Sequence, residues 1–162
     1  MGHLRFREAT ATEADTVLAI KQTAIKHIDG DCYDETQLAA WQPDDDAVDI
    51  FEQAIEDDRF NVVIAEYDDQ PAGYGVLSVV DDRIDAIFVR PDYSRSGIAS
   101  SLVGQLEMRA RMYDISELEI VSSLNATAFY ESLGYFNFGT QQRTIEGVDI
   151  EFTVMRKQLN GE

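Results

Sequence analysis

The sequence predicts an α+β fold, with helices gathered in the first third and strand–helix–strand units in the second half. Three observations carry this reading. Apolar residues recur at helical spacing as far as residue 57. From Phe60 onward the pattern changes to short β-branched runs separated by turn residues. Two further helical stretches then interrupt those runs, opening near Gly97 and Asn125. At 162 residues and 44% hydrophobic, the chain is sized for one globular domain, residues 1–162, with its own core.

The elements follow in order. Leu4-Arg5-Phe6-Arg7 alternates as a strand does. Thr10 three residues before Glu13 is a capping-box signature, and Val17, Ile20, Ala24, Ile25 and Ile28 then mark one helix over residues 11–28. A loop at Asp29-Gly30-Asp31 leads to a short helix from Asp34 to Trp41, stopped by Pro43. Residues 46–57 read as a third helix, with Val48, Phe51 and Ile55 on one side. Phe60–Tyr67 and Gly73–Val80 form a strand pair across Asp68-Asp69-Gln70-Pro71, and Ile84–Val89 is the next strand. A helix with Ile98, Leu102, Leu106 and Ala110 on one stripe follows, then a strand at Glu117–Val121. Asn125–Leu133 is a short helix closed by Gly134, and strands at 136–145 and 148–156 turn at Glu146-Gly147. That makes a sheet of about seven strands flanked by helices.

Charge narrows the function classes. Thirty-one acids, 18 of them Asp, face 13 bases, of which only Lys21, Lys26 and Lys157 are lysines, for a formal charge of −18. Such a surface repels polyphosphate backbones and anionic membranes, which excludes both as main partners. Asp excess with so few lysines fits a protein adapted to a salt-rich cytoplasm, where self-repulsion is screened. The acidic pairs lie in short runs between apolar segments and read as solvated loops, so no metal is expected. One cysteine, Cys32, leaves no internal disulfide, and no apolar run is long enough to span a membrane. The first residues carry no signal-peptide pattern.

The most informative segment runs from Ile84 through Val89-Arg90-Pro91-Asp92-Tyr93-Ser94-Arg95-Ser96-Gly97-Ile98-Ala99. A strand passes through a turn into a helix whose start is built of small residues. Free N–H groups and the helix dipole at such a start suit a phosphate. Val-x-Pro-Asp-Tyr-x-x-x-Gly-Ile-Ala resembles the acetyl-CoA motif of the GNAT N-acetyltransferase superfamily. A second stretch, Asn125-Ala126-Thr127-Ala128-Phe129-Tyr130-Glu131-Ser132-Leu133-Gly134-Tyr135, is similar to that family's Asn-x-x-Ala-x-x-Phe-Tyr-x-x-x-Gly-Phe region. The acidity gives the resemblance a haloarchaeal cast. The sequence departs from the motif at Ser94, where the family has Gln or Arg, and at Arg95, where Gly is common.

The resemblance implies a mixed sheet splayed between its fourth and fifth strands, and acetyl transfer from acetyl-CoA to a primary amine in a ternary complex. Residues Ser94, Arg95, Ser96, Gly97, Ile98 and Ala99 would hold the pyrophosphate, with Arg90 and Arg95 as cationic partners. The backbone of Ile87, Phe88 and Val89 would pair with the pantetheine amides, while Asn125 and Phe129 line that arm. Tyr130 would protonate the leaving thiolate. The acceptor is a small-molecule or peptide amine, and homodimers are common in the family. For the general base, alternation along the strand places Arg83, Asp85, Ile87 and Val89 on one face, and Asp85 is the candidate. Tyr33 and Trp41 would wall the acceptor pocket. A non-catalytic acyl-CoA-binding or regulatory protein of the same fold is the second reading.

Overall fold

The structure is a computed structural model, which describes residues 2–94 and 96–159. Seven strands form one mixed sheet in the order β1-β2-β3-β4-β5-β7-β6. They are β1 (Leu4–Glu8), β2 (Phe60–Tyr67), β3 (Gln70–Ser78), β4 (Arg83–Val89), β5 (Glu117–Ser123), β6 (Phe136–Ile145) and β7 (Val148–Gln158). The helices are α1 (Ala14–Lys26), α2 (Glu35–Trp41), α3 (Val48–Glu56), α4 (Ile98–Met112) and α5 (Thr127–Ser132).

Local chemistry sets the boundaries. The helix expected over 11–28 begins as a 3-10 turn, Ala11–Glu13, because Glu13 folds back to accept from the Thr10 amide at 3.0 Å. Asp34 and Gln37 cap α2 reciprocally, at 2.8 and 3.0 Å, so the helix starts one residue later than Asp34 itself. The hairpin between β2 and β3 is tighter than the four-residue turn expected. Asp68 and Asp69 take left-handed conformations (φ 50° and 67°), and Gln70 already pairs with Tyr67. Asn125 does not cap a helix, since a 3-10 turn begins one residue earlier at Leu124 and α5 follows from Thr127.

Three apolar clusters hold the sheet. On one face α4 and α5 bury Leu102, Leu106 and Tyr130 against Ile84, Leu118 and Ile120. On the other, α1 and α3 bury Val17, Ile20 and Phe51 against Ile64, Tyr74 and Phe88. At the β7 end, α2 covers Ile150 and Phe152 with Leu38 and Trp41. Gly75 lets α4 lie close on β3, because an added Cβ would stand 2.9 Å from both Ile87 Cδ1 and Leu106 Cδ1.

Two irregularities shape the centre of the sheet. Leu77 pairs with Ile84 and Val76 with Ala86, so Asp85 is the extra residue of a β-bulge. The bulge corrects the expected alternation. Ile87 and Val89 face the α4 side with Ile84, whereas Ala86 and Phe88 face the α1 side. The parallel pairing of β4 with β5 covers only Arg83↔Glu119 and Ile84↔Ile120, after which the two strands part. That is the expected splay.

Candidate active site

Where β4 and β5 diverge, a cleft of about 140 Å³ opens through the sheet. Residues of all three apolar clusters line it. Ile84, Ile87, Ile120, Ala126 and Tyr130 come from the α4 side, and Lys21, Trp41, Phe88, Phe152 and Arg143 from the other. With β5 turned away beyond Ile84, alternate backbone groups of residues 85–89 are left facing the cleft instead of a neighbouring strand. An extended amide chain can pair with such an edge.

Tyr130 is brought to this cleft by α5 and is only 5% exposed. Its ring meets Phe129 and Tyr135 edge-on, at centroid distances of 5.0 and 6.0 Å. Burial pushes its phenol above the usual tyrosine range, because the phenolate would lose its hydration. Two other tyrosines nearby are committed elsewhere. Tyr135 donates to Glu107 Oε2 at 2.7 Å. Tyr33 donates to the Glu151 carbonyl at 2.6 Å and accepts from the Leu124 amide at 2.9 Å. Among the described residues, none takes up the Tyr130 hydroxyl.

The N-terminus of α4 is the second component. Gly97 caps it with φ 84°, a left-handed conformation that a side chain would strain. Among the described residues, nothing lies within 4 Å of where a Gly97 Cβ would stand. The first bond of the helix runs from the Ser101 amide to the Gly97 carbonyl at 3.1 Å, so the amides of Ile98, Ala99 and Ser100 precede it without intrahelical partners. The serine hydroxyls are folded back: Ser96 donates to the Tyr93 carbonyl, and Ser100 to that of Gly97 at 3.0 Å. The Ser94 amide donates to the Pro91 carbonyl at 3.1 Å. Backbone amides are therefore what this helix start offers an anion. Ile98 contributes only its amide, since its side chain is buried in the core.

The other expected site residues fall as follows. Trp41 lines the cleft, with its ring 6.0 Å from Phe88 and 5.4 Å from Phe152. Tyr33 stands behind that wall, 5.9 Å from Trp41, where its two backbone hydrogen bonds tie the residue 33 loop to β7 and the turn after β5. It braces Trp41 and does not itself face the cleft. Phe129 packs half-buried against the α4 core beside Tyr130, and Val89 joins that same cluster. Asn125 is exposed on the turn next to Ala126, which lines the cleft. Arg90 is engaged structurally, its Nε donating to the Pro71 carbonyl at 2.9 Å. Arg95 lies outside the described residues.

Asp85 lines the cleft on its α1 side, where the bulge aims it, and its Oδ1 accepts from Arg83 Nε at 2.5 Å. Two cleft residues escaped the sequence reading. Lys21 follows Val17 by four, on the buried stripe of α1, and a lysine on such a stripe is a signal that periodicity makes visible. Arg143, on β6, comes from far along the chain and gives no local signal.

The comparisons with known proteins agree with this geometry. Residues 30–159 match the family model of the acetyltransferase (GNAT) domain. The uncharacterised N-acetyltransferase YafP of Escherichia coli is 29% identical over 119 residues, 74% of this chain and 69% of that protein. A GCN5-related N-acetyltransferase from Rhodopseudomonas palustris superposes with TM-score 0.89 at 27% identity, over 95% of this chain and 94% of that one. An acetyltransferase of Salmonella typhimurium, yncA, solved with acetyl-CoA, shares the fold at 17% identity with TM-score 0.71, covering 99% and 96% of the two chains. With the splayed sheet, the glycine-capped α4 and the domain match together, the chain belongs to the GNAT acetyltransferase family.

Proposed function

We propose that residues 1–162 act as one N-acetyltransferase domain that moves an acetyl group from acetyl-CoA to a primary amine by direct attack. The observation that carries this reading is the uncommitted hydroxyl of buried Tyr130 at the strand splay. The amides of Ile98, Ala99 and Ser100 hold the pyrophosphate at the dipole-positive end of α4. The free edge of β4 at Ile87–Val89 pairs with the pantetheine amides, and Asn125 and Phe129 flank that arm. The amine enters from the opposite side of the sheet, along Trp41.

As the amine nitrogen bonds to the thioester carbon and the carbon–sulfur bond breaks, Tyr130 gives its proton to the departing thiolate. A phenol held protonated by burial is suited to that donation, which is worth roughly 10²–10⁴ in rate. Asp85, on the amine side, accepts the proton that the amine releases. No metal enters the scheme. The acidic surface fits a cytoplasmic protein working at high salt on small amines or peptides rather than on nucleic acid, and a homodimer fits the family.

Incubating the protein with acetyl-CoA and a panel of primary amines, with mass spectrometry of the products, tests the reading. N-acetylated product with stoichiometric thiol release is expected. Saturable CoA binding without transfer to any amine would instead establish the non-catalytic alternative.

A further inference from the structure

The charge of the cleft runs against that of the protein. The chain carries −18 in total and only three lysines, yet Lys21 and Arg143 both line the acceptor side. Asp85 is the carboxylate beside them, and it is bound to Arg83, which also reaches Asp81 Oδ2 at 3.4 Å. Among the described residues, no carboxylate makes an ion pair with Lys21 or Arg143.

The two cations are also held in position. Lys21 Nζ lies 5.5 Å from the Phe88 ring centroid and 5.8 Å from that of Phe51. The Arg143 guanidinium lies 5.6 Å from the Phe152 centroid. Trp41 touches both Phe88 and Phe152, so one aromatic wall carries a cation at each end. Cation–π contacts of this kind steady a charge but do not neutralise it. Burial lowers the pKa of Lys21, and the field of nearby Asp85 only partly offsets this.

Resting on the acetyltransferase reading, we infer that the acceptor is an amine that also bears a carboxylate, as a free amino acid does, and that Lys21 and Arg143 bind that carboxylate. Arg143 offers a planar fork of N–H donors, which a carboxylate accepts in pairs. Lys21 offers a point charge that gains its missing counter-ion. A polyamine would bring further positive charge against both residues, so the overall acidity of the surface misstates the preference of the site. The aromatic wall between the two cations meets the apolar body of the acceptor.

The test compares each L-amino acid with its own carboxamide, and both with spermidine, by kcat/KM for thiol release. Calorimetric binding of the same compounds to CoA-loaded protein runs beside it. The free acid should exceed its carboxamide by about tenfold or more, the size of one lost charge-assisted hydrogen bond. In Lys21→Met and in Arg143→Gln that ratio should collapse toward one, through KM for the acid, while KM for acetyl-CoA and the melting temperature move little. Arg143→Lys, which keeps the charge, should retain part of the ratio. Turnover of carboxamides or spermidine at equal or higher efficiency would overturn the inference and leave the acetyltransferase reading standing. Acid-selective binding that needs Lys21 and Arg143, without turnover of any amine, would support the inference and remove the enzyme. Absence of both transfer and acid-selective binding overturns it as well.

Discussion

The rings of Tyr130 and Tyr135 meet edge-on with centroids 6.0 Å apart, yet their hydroxyls have opposite fates. Tyr135 gives its proton to a hydrogen bond with Glu107 Oε2 at 2.7 Å, and Lys157 Nζ reaches the same oxygen at 3.0 Å. That trio locks α4 to the sheet and to β7. The neighbouring phenol of Tyr130 is left facing the cleft. Burial raises both phenols, but only one is placed to pass its proton to something outside the protein. The contrast singles out Tyr130, and not Tyr135, as the proton donor proposed above.

Gly97 should respond to substitution in two separable ways. An alanine meets none of the described residues, so Gly97→Ala reports the left-handed backbone and should cost about 1 kcal/mol of stability. Gly97→Trp fills the space above the α4 amides and should weaken CoA binding at least about tenfold, or 1.4 kcal/mol. Calorimetric titration of the two folded variants separates strain from occlusion.

Tyr33→Phe should destabilise the fold by about 1–3 kcal/mol. It orphans the Glu151 carbonyl and the Leu124 amide that the hydroxyl now joins. Denaturant unfolding measures the loss, and KM for the amine should stay close to that of the native protein.

How much of this was legible beforehand varies with the physics of each feature. The succession of strands and helices along the chain, the phosphate-type turn at Gly97 and the tyrosine of α5 are local patterns, and the sequence displays them. The Asp85 bulge is not local. It comes from the register of β3 against β4, so alternation alone puts Ile87 on the wrong face. Tyr33 and Trp41 stand close in sequence and look equivalent. Only the distant Glu151 and Leu124 reveal that one is a brace and the other a wall. Lys21 was visible as a misfit on an apolar stripe, whereas Arg143 reaches the cleft through the β6–β7 hairpin and had no herald.

Acid should erase one identifiable contribution to stability. Arg7 binds Glu13 at Oε1 (2.7 Å) and Oε2 (2.5 Å), which pulls the Glu13 carboxyl from 4.5 down to about 2. A depressed carboxyl stabilises the fold above its unfolded pKa and loses that contribution as pH falls through the folded value. The difference in melting temperature between the native protein and Glu13→Gln should therefore be constant above pH 5, then shrink between pH 4.5 and about 2. Comparing the two proteins cancels the general relief of repulsion that acid brings to a chain of charge −18.

Salt should act in the opposite direction to acid loss. At −18 over 162 residues, carboxylate repulsion opposes the compact state at low ionic strength. The Debye length falls from about 10 Å at 0.1 M to about 3 Å at 1 M, so the melting temperature and kcat/KM for acetyl-CoA should both rise across that range of KCl. Thermal melts and initial rates over the series measure it. A melting temperature that is flat or falling would remove the salt-adaptation reading.

The most direct measurement is single-turnover thiol release from acetyl-CoA by the native protein and by Tyr130→Phe, with the best amine of the panel. The substitution keeps the ring and its edge-on packing but deletes the proton donor. The rate of the chemical step should fall roughly 10²–10⁴-fold, with acetyl-CoA affinity little changed. In the native protein, no loss of that rate assignable to Tyr130 should appear below about pH 10, since burial raises its phenol above the ordinary value. A Tyr130→Phe protein that releases thiol at the native rate would contradict the account, and Tyr130 would then be packing alone.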